Sequence, residues 1–336
     1  MQEPLVTLVV VPRERFSFAL ESLDSIYEHT GCPFSLVYVD GGSPAKVRRR
    51  VAEQAERRGF RLIRTDRYLS PNEARNIGLR EVKTKYVVFI DNDVLVTPGW
   101  LERLVQCAEE TGAWLVGPLY LEGEFADQKI HMAGGALQIK EEKGKRVVVE
   151  RHRYAGKRVP DLPAALQREP TEVIEFHTVL ARTEMFAHIG GGLDEGLLNT
   201  REHVDLCLAV REAGGSIYLE PNSVITYVAP PPFAISDIPF YILRWSDAWS
   251  LSSMEHFNAK WNMTIDRHHT TFINNHRRLL LRPLRRVTSR VFGWRADKIE
   301  RAYVYPVEQK LNRFFVNLLW RKRRETTSAH AEVSGV

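Results

Sequence analysis

Cysteine is scarce in this chain of 336 residues: Cys32, Cys107 and Cys207 are an odd number without metal-ligand spacing. That argues against a disulfide framework or a cysteine-held zinc, and for buried, reduced thiols. Long apolar runs are missing too. No stretch approaches the roughly 20 apolar residues of a membrane span. Met1-Gln2-Glu3-Pro4 leads straight into a strand pattern without the basic and apolar regions of a signal peptide, so a cytoplasmic protein is expected. No Gly-x-Gly-x-x-Gly follows a strand, which removes the dinucleotide-binding dehydrogenases. Pro12-Arg13-Glu14-Arg15 stands after the first strand, where a nucleotidyltransferase would carry a glycine-rich loop. The formal charge of +5 is modest and unevenly spread; no nucleic-acid partner is expected, and a flat salt response of polynucleotide affinity would exclude one. With 44% hydrophobic and 26% charged residues the chain can bury one sizeable core and carry an appendage.

Strand and helix patterns alternate from the start. Val6 to Val11 is a β-branched run closed by Pro12, and Leu20, Leu23, Ile26 and Tyr27 recur at helical spacing. Leu36 to Val39 is a second strand, running into Asp40-Gly41-Gly42-Ser43. Ser70-Pro71-Asn72-Glu73 has the form of a capping box and opens a helix that carries Arg75 and Asn76 in its first turns. This alternation predicts an α/β fold with a doubly wound, mostly parallel sheet and helices on both faces. Later, Ala136 to Ile139 and Val147 to Val149 flank Lys143-Gly144 as a hairpin, and Val173 to His177 returns to a strand pattern.

The stretch on which function turns is Tyr86-Val87-Val88-Phe89-Ile90-Asp91-Asn92-Asp93, a buried-strand pattern that stops at two carboxylates. Ligands of open α/β sheets bind outside the carboxyl ends of the strands, so Asp91 and Asp93 are expected at the lip of a cleft. Either they hold a hard divalent cation bridging to a substrate diphosphate, or they form an ordinary strand-end turn. Arg75 is either a fork for phosphate at a helix start or a structural residue. Further on, Arg201-Glu202-His203-Val204-Asp205 begins a helix on which Glu202 and Asp205 share a face. That is an acid/base station or a set of first-turn acids complementing the helix dipole. His131 either lines the cleft or is structural.

Together these motifs resemble glycosyltransferase family 2, over about residues 5 to 230. Val37 to Ser43 is similar to its strand ending in Asp-Asp/Asn-Gly-Ser, and Ala74-Arg75-Asn76-Ile77-Gly78 to Ala-Arg-Asn-x-Gly. Asp91-Asn92-Asp93 resembles its Asp-x-Asp, Gly191-Gly192-Leu193-Asp194-Glu195 its Gly-Gly-Phe-Asp-Glu, and Glu202 to Cys207 its Glu-Asp-Val-Asp-Leu-Cys. The resemblance implies a GT-A, Rossmann-like fold and an inverting transferase of hexosyl type using a nucleotide-diphosphate sugar. Pro12, Glu14, Asp40, Arg75, Asn76, Asp91 and Asn92 would hold the donor, Asp91 and Asp93 would bind Mn²⁺ or Mg²⁺, and His203, Glu202 and Asp205 would supply the catalytic station. The acceptor would be a polysaccharide or lipid-linked glycan. The family's usual catalytic Asp is replaced by His203 and a usual His by Tyr227. Three readings stay open: His203 as base, Glu202 as base, or a noncatalytic sugar-nucleotide or glycan binder.

The expected division is a GT-A catalytic domain over residues 1–235, an aromatic-rich helical region over the acceptor site at 236–275, and a basic helical extension with a frayed tail at 276–336. Pro230-Pro231-Pro232 marks the first boundary. Trp245, Trp249, Phe257 and Trp261 either stack on sugar or pack. Beyond Arg277, arginine pairs punctuate apolar sequence, with Arg321-Lys322-Arg323-Arg324 at its end and Leu311, Phe314, Phe315, Leu318 and Leu319 as one stripe. The stripe either lies on an anionic membrane, at its inner face, or docks onto the catalytic domain.

Overall fold

The computed structural model describes residues 3–142, 144–229, 232–264 and 273–318. Pro230, Pro231, Lys143, Leu319, the basic cluster at 321–324 and the expected tail lie outside the described residues. The first half alternates as its apolar spacing predicts. The elements are β1 (Val6–Val11), α1 (Ala19–His29), β2 (Phe34–Gly41), α2 (Ala45–Arg58), β3 (Arg61–Thr65), α3 (Pro71–Leu79), β4 (Tyr86–Asp91), β5 (Val94–Val96) and α4 (Trp100–Thr111). There follow β6 (Leu115–Glu122), β7 (Ile130–Met132), β8 (Gly135–Glu142), β9 (Lys145–His152), β10 (Glu169–Pro170), β11 (Thr178–Arg182), α5 (Glu202–Glu212) and β12 (Ile217–Tyr227).

The main sheet runs β10-β12-β6-β11-β4-β1-β2-β3, with β5 on β12 and β7 on β6. Around β1 it is parallel, β2 and β4 flanking it, and all six residues of each of β1 and β4 are buried. That is why both strands read as unbroken apolar runs. The sheet is mixed rather than uniformly wound, because β11 runs antiparallel to both β4 and β6. The strand expected over Val173 to His177 begins only at Thr178; Val173 to His177 leads into it, carrying Glu175 and His177 to the end of β4. Hairpin β8–β9 pairs as its alternation predicts.

Gly78 explains how α3 sits. A Cβ there would lie 2.2 Å from a methyl carbon of Val9, so the absent side chain lets the helix close on β1 and brings Arg75 to the end of β4. Glu73 accepts the Ser70 amide at 3.3 Å at the helix start.

After β12 come α6 (Ile238–Arg244), α7 (Asp247–Trp261) and α8 (Arg282–Phe292), with residues 305–318 also helical. Trp245, Trp249 and Phe257 are buried, so packing accounts for them. The last helix docks through Val316, which joins Leu243 and Trp249. Leu311, Phe314, Phe315 and Leu318 are each more than 40% exposed, so the described part of the stripe is largely open to solvent. Among the described residues no helix is long and apolar enough to cross a membrane.

Candidate active site

The carboxyl ends of β1, β2 and β4 lie side by side, bringing Pro12, Asp40 and Asp91 to one sheet edge. Asp91, Asn92 and Asp93 are fully buried there, not at the open lip expected of them. The reason is a cover from two segments. After β1, Arg13 donates its amide to Asn92 Oδ1 at 3.1 Å, and Asn92 Nδ2 donates to Arg15 O at 2.9 Å. After β12, Arg15 donates to the carbonyls of Val228 and Pro232, while Asp237 accepts the Phe16 and Ser17 amides at 2.9 and 3.1 Å. Asn92 is therefore engaged in closing these loops rather than free for a donor.

The two acids flanking Asn92 differ. Asp91 Oδ1 accepts from Arg75 at 3.0 Å, and Oδ2 lies 3.2 Å from His177 Nδ1 and 3.6 Å from Arg13 Nε. Burial pushes its pKa up, but His177, Arg13 and Arg75 outweigh this and hold the carboxyl below its usual range. Asp93 has no such partners: both of its carboxylate oxygens lack a hydrogen bond. Burial, reinforced by the charges of Glu14 and Asp91, raises its pKa well above the ordinary value. Glu14 Oε2 accepts from Tyr227 Oη at 2.5 Å, and Oε1 is unpaired. Arg75, over the Phe176 ring at 3.9 Å, leaves its Nε without an acceptor, as do Arg13 and Arg244.

Residues 7–157 match the family model described as Glycosyl transferase family 2. Residues 7–157 are thus similar to a family 2 glycosyltransferase domain. Its sequence is 25% identical over 216 residues to the uncharacterized protein y4gI of Sinorhizobium fredii, covering 63% of this chain and 23% of that protein. It is 28% identical over 160 residues to the pre-mycofactocin glycosyltransferase of Mycobacterium tuberculosis, covering 47% of this chain and 30% of the relative. The chain thus spans less than a third of the length of either relative. A crystal structure of GalNAc-T7 with UDP, GalNAc and Mn²⁺ superposes with a TM-score of 0.54 at 14% identity, covering 81% of this chain and 54% of that one, and shows the shared GT-A fold.

The other expected site residues divide into groups. Asp40 is buried and accepts from Ser43 N and Oγ at 2.8 Å each, with Arg64 also on its carboxylate. Tyr38 feels the charges of both Asp40 and Asp93, which puts those acids in one neighbourhood. Asn76 serves differently from expectation. Its amide bonds Leu193 N at 2.9 Å, Leu193 O at 2.8 Å and Glu195 at 2.9 Å, stapling α3 to the Gly-Gly-Leu-Asp-Glu loop.

Glu202, His203 and Asp205 do not meet at one station. Buried Glu202 lies 3.4 Å from Arg244 Nη1, and its charge reaches Arg13 and Arg75. His203 turns away to Glu150, with Nε2 2.7 Å from Oε1, and to Glu175 at 3.8 Å. Burial works against its protonation, but Glu175 and Glu150 raise its pKa to about 9. Asp205 accepts from Lys260 at 2.9 Å and from Trp261 Nε1 at 2.8 Å, and Lys260 also reaches Asp194 at 2.9 Å. The Lys-Trp pair thus locks α7 to α5, and Asp205 belongs to that lock.

Several residues here carry no motif. His177 stacks on Tyr227 with ring centroids 4.0 Å apart and places Nδ1 3.2 Å from Asp91 Oδ2; its only sequence signal is a histidine closing an apolar run. Arg244 lies far along the chain, and only the tertiary fold brings it to Glu202.

Proposed function

We propose that this protein is an inverting hexosyltransferase that moves a sugar from a nucleoside diphosphate sugar to a hydroxyl of a polysaccharide or lipid-linked glycan. One observation carries the reading. At the sheet edge and on α6, buried guanidinium N–H groups without acceptors (Arg13, Arg75, Arg244) lie within electrostatic reach of buried carboxylate oxygens without donors (Asp93, Glu14). A diphosphate with its divalent cation satisfies both sets, and buried polar groups demand such partners.

Oxygen donors of this kind suit Mn²⁺ or Mg²⁺, so Asp93 and Glu14 would hold the cation, with Asp91 already committed to Arg75. Bound there, it would supply positive charge to the departing diphosphate. The chain does the rest. Arg13, Arg75 and Arg244 neutralise the leaving group as its bond to the anomeric carbon breaks. The acceptor oxygen bonds that carbon from the opposite face, and its proton passes to Glu202. Glu202 is preferred over His203 because its charge reaches the arginines, whereas His203 is turned to Glu150 and Glu175. Asp40 would meet the nucleotide base.

The test is nucleoside diphosphate release from a panel of nucleotide sugars with Mn²⁺ and acceptor. Turnover should fall with chelator, with Asp93→Asn and with Glu202→Gln; undiminished turnover in Asp93→Asn would remove the site. Tyr227, bonded to Glu14, favours a second reading as a sugar-nucleotide binder. A donor that raises the melting temperature yet is never cleaved with any acceptor would select it.

The C-terminal region supports a membrane partner. On α8 and the turn after it, Val287, Val291, Phe292 and Trp294 are 45–85% exposed among exposed Arg282, Arg286 and Arg290. A groove of about 480 Å³ between this region and residues 303–315 is lined by Leu280, Leu284, Val307 and Phe315. Apolar side chains ringed by arginine fit the surface of an anionic bilayer, where a lipid-linked acceptor would be met. Co-flotation with phosphatidylglycerol vesicles but not with neutral ones is expected, and equal absence from both would remove this partner.

A further inference from the structure

Beside the proposed donor site, but separate from it, lies a cluster of two imidazoles and two carboxylates drawn from three parts of the chain. Glu150 and His152 stand two apart on β9 and so project from one face of the hairpin. Glu175 comes from the segment entering β11, and His203 from the first turn of α5. One donor atom from each of the four lies within 4.8 Å of every other. A single oxygen, Glu150 Oε1, is 2.7 Å from Nε2 of both His152 and His203. The Glu175 carboxylate is 3.7 Å from His152 and 3.8 Å from His203, beyond hydrogen-bond reach. Donor atoms on one tetrahedral zinc, each roughly 2.0–2.2 Å from it, lie about 3.4 Å apart. His203 faces Glu150 through Nε2 and Glu175 through Nδ1, so its ring and the Glu175 carboxylate must turn to bring one donor atom from each residue, already within 4.8 Å of the others, onto a common ion.

We propose that Glu150, His152, Glu175 and His203 form a binding site for a transition-metal dication of the zinc type, distinct from the cation expected at Asp93. The donor set decides the class. As ligands the two imidazoles are neutral, so binding displaces any proton on His203, and with two carboxylates they carry a net charge that a dication cancels; imidazole nitrogen favours zinc over magnesium or calcium. Candidate outer partners stand nearby: Arg201 Nη1 lies 3.6 Å from Glu150 Oε2, and His131 Nε2 lies 3.8 Å from Glu175 Oε1, short of hydrogen bonds but placed to orient the ligands once they close. Access differs from that of Asp93. The four side chains are 10–22% exposed, whereas Asp93 is sealed. His177 and His131 stand between the two sites: the His131 ring is 5.3 Å from that of His177 and 5.4 Å from that of His152, and His177 faces Asp91. Filling the site makes His203 a ligand, fixes the start of α5 against the β8–β9 hairpin, and so positions neighbouring Glu202. The assignment does not depend on sugar transfer.

The experiment uses the full chain, stripped of metal by chelator and titrated with Zn²⁺ or Co²⁺ without nucleotide. The expected result is one tightly held Zn²⁺ per chain that millimolar Mg²⁺ does not displace, and a Co²⁺ form with the visible absorption of a four-coordinate centre. His152→Gln and Glu150→Gln should each weaken Zn²⁺ binding at least tenfold while the circular dichroism spectrum stays native, and Asp93→Asn should bind as the wild type does. If Glu150→Gln fails to fold, His152→Gln at the accessible rim carries the same readout. A wild-type chain that keeps no Zn²⁺ after gel filtration overturns the assignment. So does a folded His152→Gln protein that binds Zn²⁺ unchanged, or loss of binding in Asp93→Asn alone.

Discussion

At the carboxyl edge of the sheet Asp91, Asp93 and Arg75 are fully buried, while at the C-terminal end Val291 and Trp294 are 65% and 85% exposed. Each region runs against the ordinary partition of charge and apolar surface, in opposite senses. Burying an ionised group is costly unless it is paired, and a contiguous exposed apolar surface is rarely left without a partner. The first region meets its cost in part: Arg75, Arg13 and His177 surround Asp91, but nothing donates to Asp93. The second has basic side chains around its apolar ones but no cover among the described residues. In both, the unmatched remainder is what the proposal fills: a cation and diphosphate in one, a lipid surface in the other.

The contrast breaks most sharply at Asp91. Asp91→Ala leaves Arg75 buried without its counter-charge, and stability should drop by about 3–5 kcal/mol in urea unfolding. A loss under about 1 kcal/mol would mean that the pair is not structural. Asp93→Asn should do the reverse. Stability of the metal-free protein stays level or rises, because an unpaired buried acid is removed, while transfer falls by about 10²–10³, equivalent to roughly 3–4 kcal/mol of transition-state stabilisation. Parallel thermal melts and turnover assays separate the two acids, and equal behaviour would erase the distinction. Asn92→Ala frees the main chains of Arg13 and Arg15, at an expected cost of about 1–3 kcal/mol; proteolysis near residues 13–17 should accelerate. The smallest effect on folding belongs to the exposed region. Trp294→Ser should change stability by no more than about 0.5 kcal/mol, yet reduce binding to anionic vesicles; unchanged binding would show that this face is not the contact.

Local pattern was a good guide where it reports local physics. The strands β1, β2 and β4, the α3 start at Ser70 and Pro71, and the β8–β9 hairpin follow from apolar spacing and turn residues. The antiparallel insertion of β11 was not legible, since a short buried strand has the same composition in either direction. The site was half legible. Asp40, Arg75, Asp91 and Asp93 stand at strand ends and a helix start, so their convergence on one sheet edge was legible, whereas their burial was not. Asn76 and Asp205 carry equally clear motifs, yet they staple the Gly-Gly-Leu-Asp-Glu loop and lock Lys260 and Trp261. A motif records that a side chain is constrained, not whether a ligand or the protein itself constrains it.

The sequence alone determined which strands are buried, where acids end them and which family the N-terminal half resembles, because periodicity and turn chemistry act between residues near in the chain. Tertiary structure alone decided that Asp91 is neutralised while Asp93 is left unpaired, that His203 turns to Glu150 rather than toward Arg75, and that Arg244 stands beside Glu202. Those outcomes depend on charges brought within a few ångströms by the fold in a medium that screens them poorly, and no spacing along the chain encodes that distance.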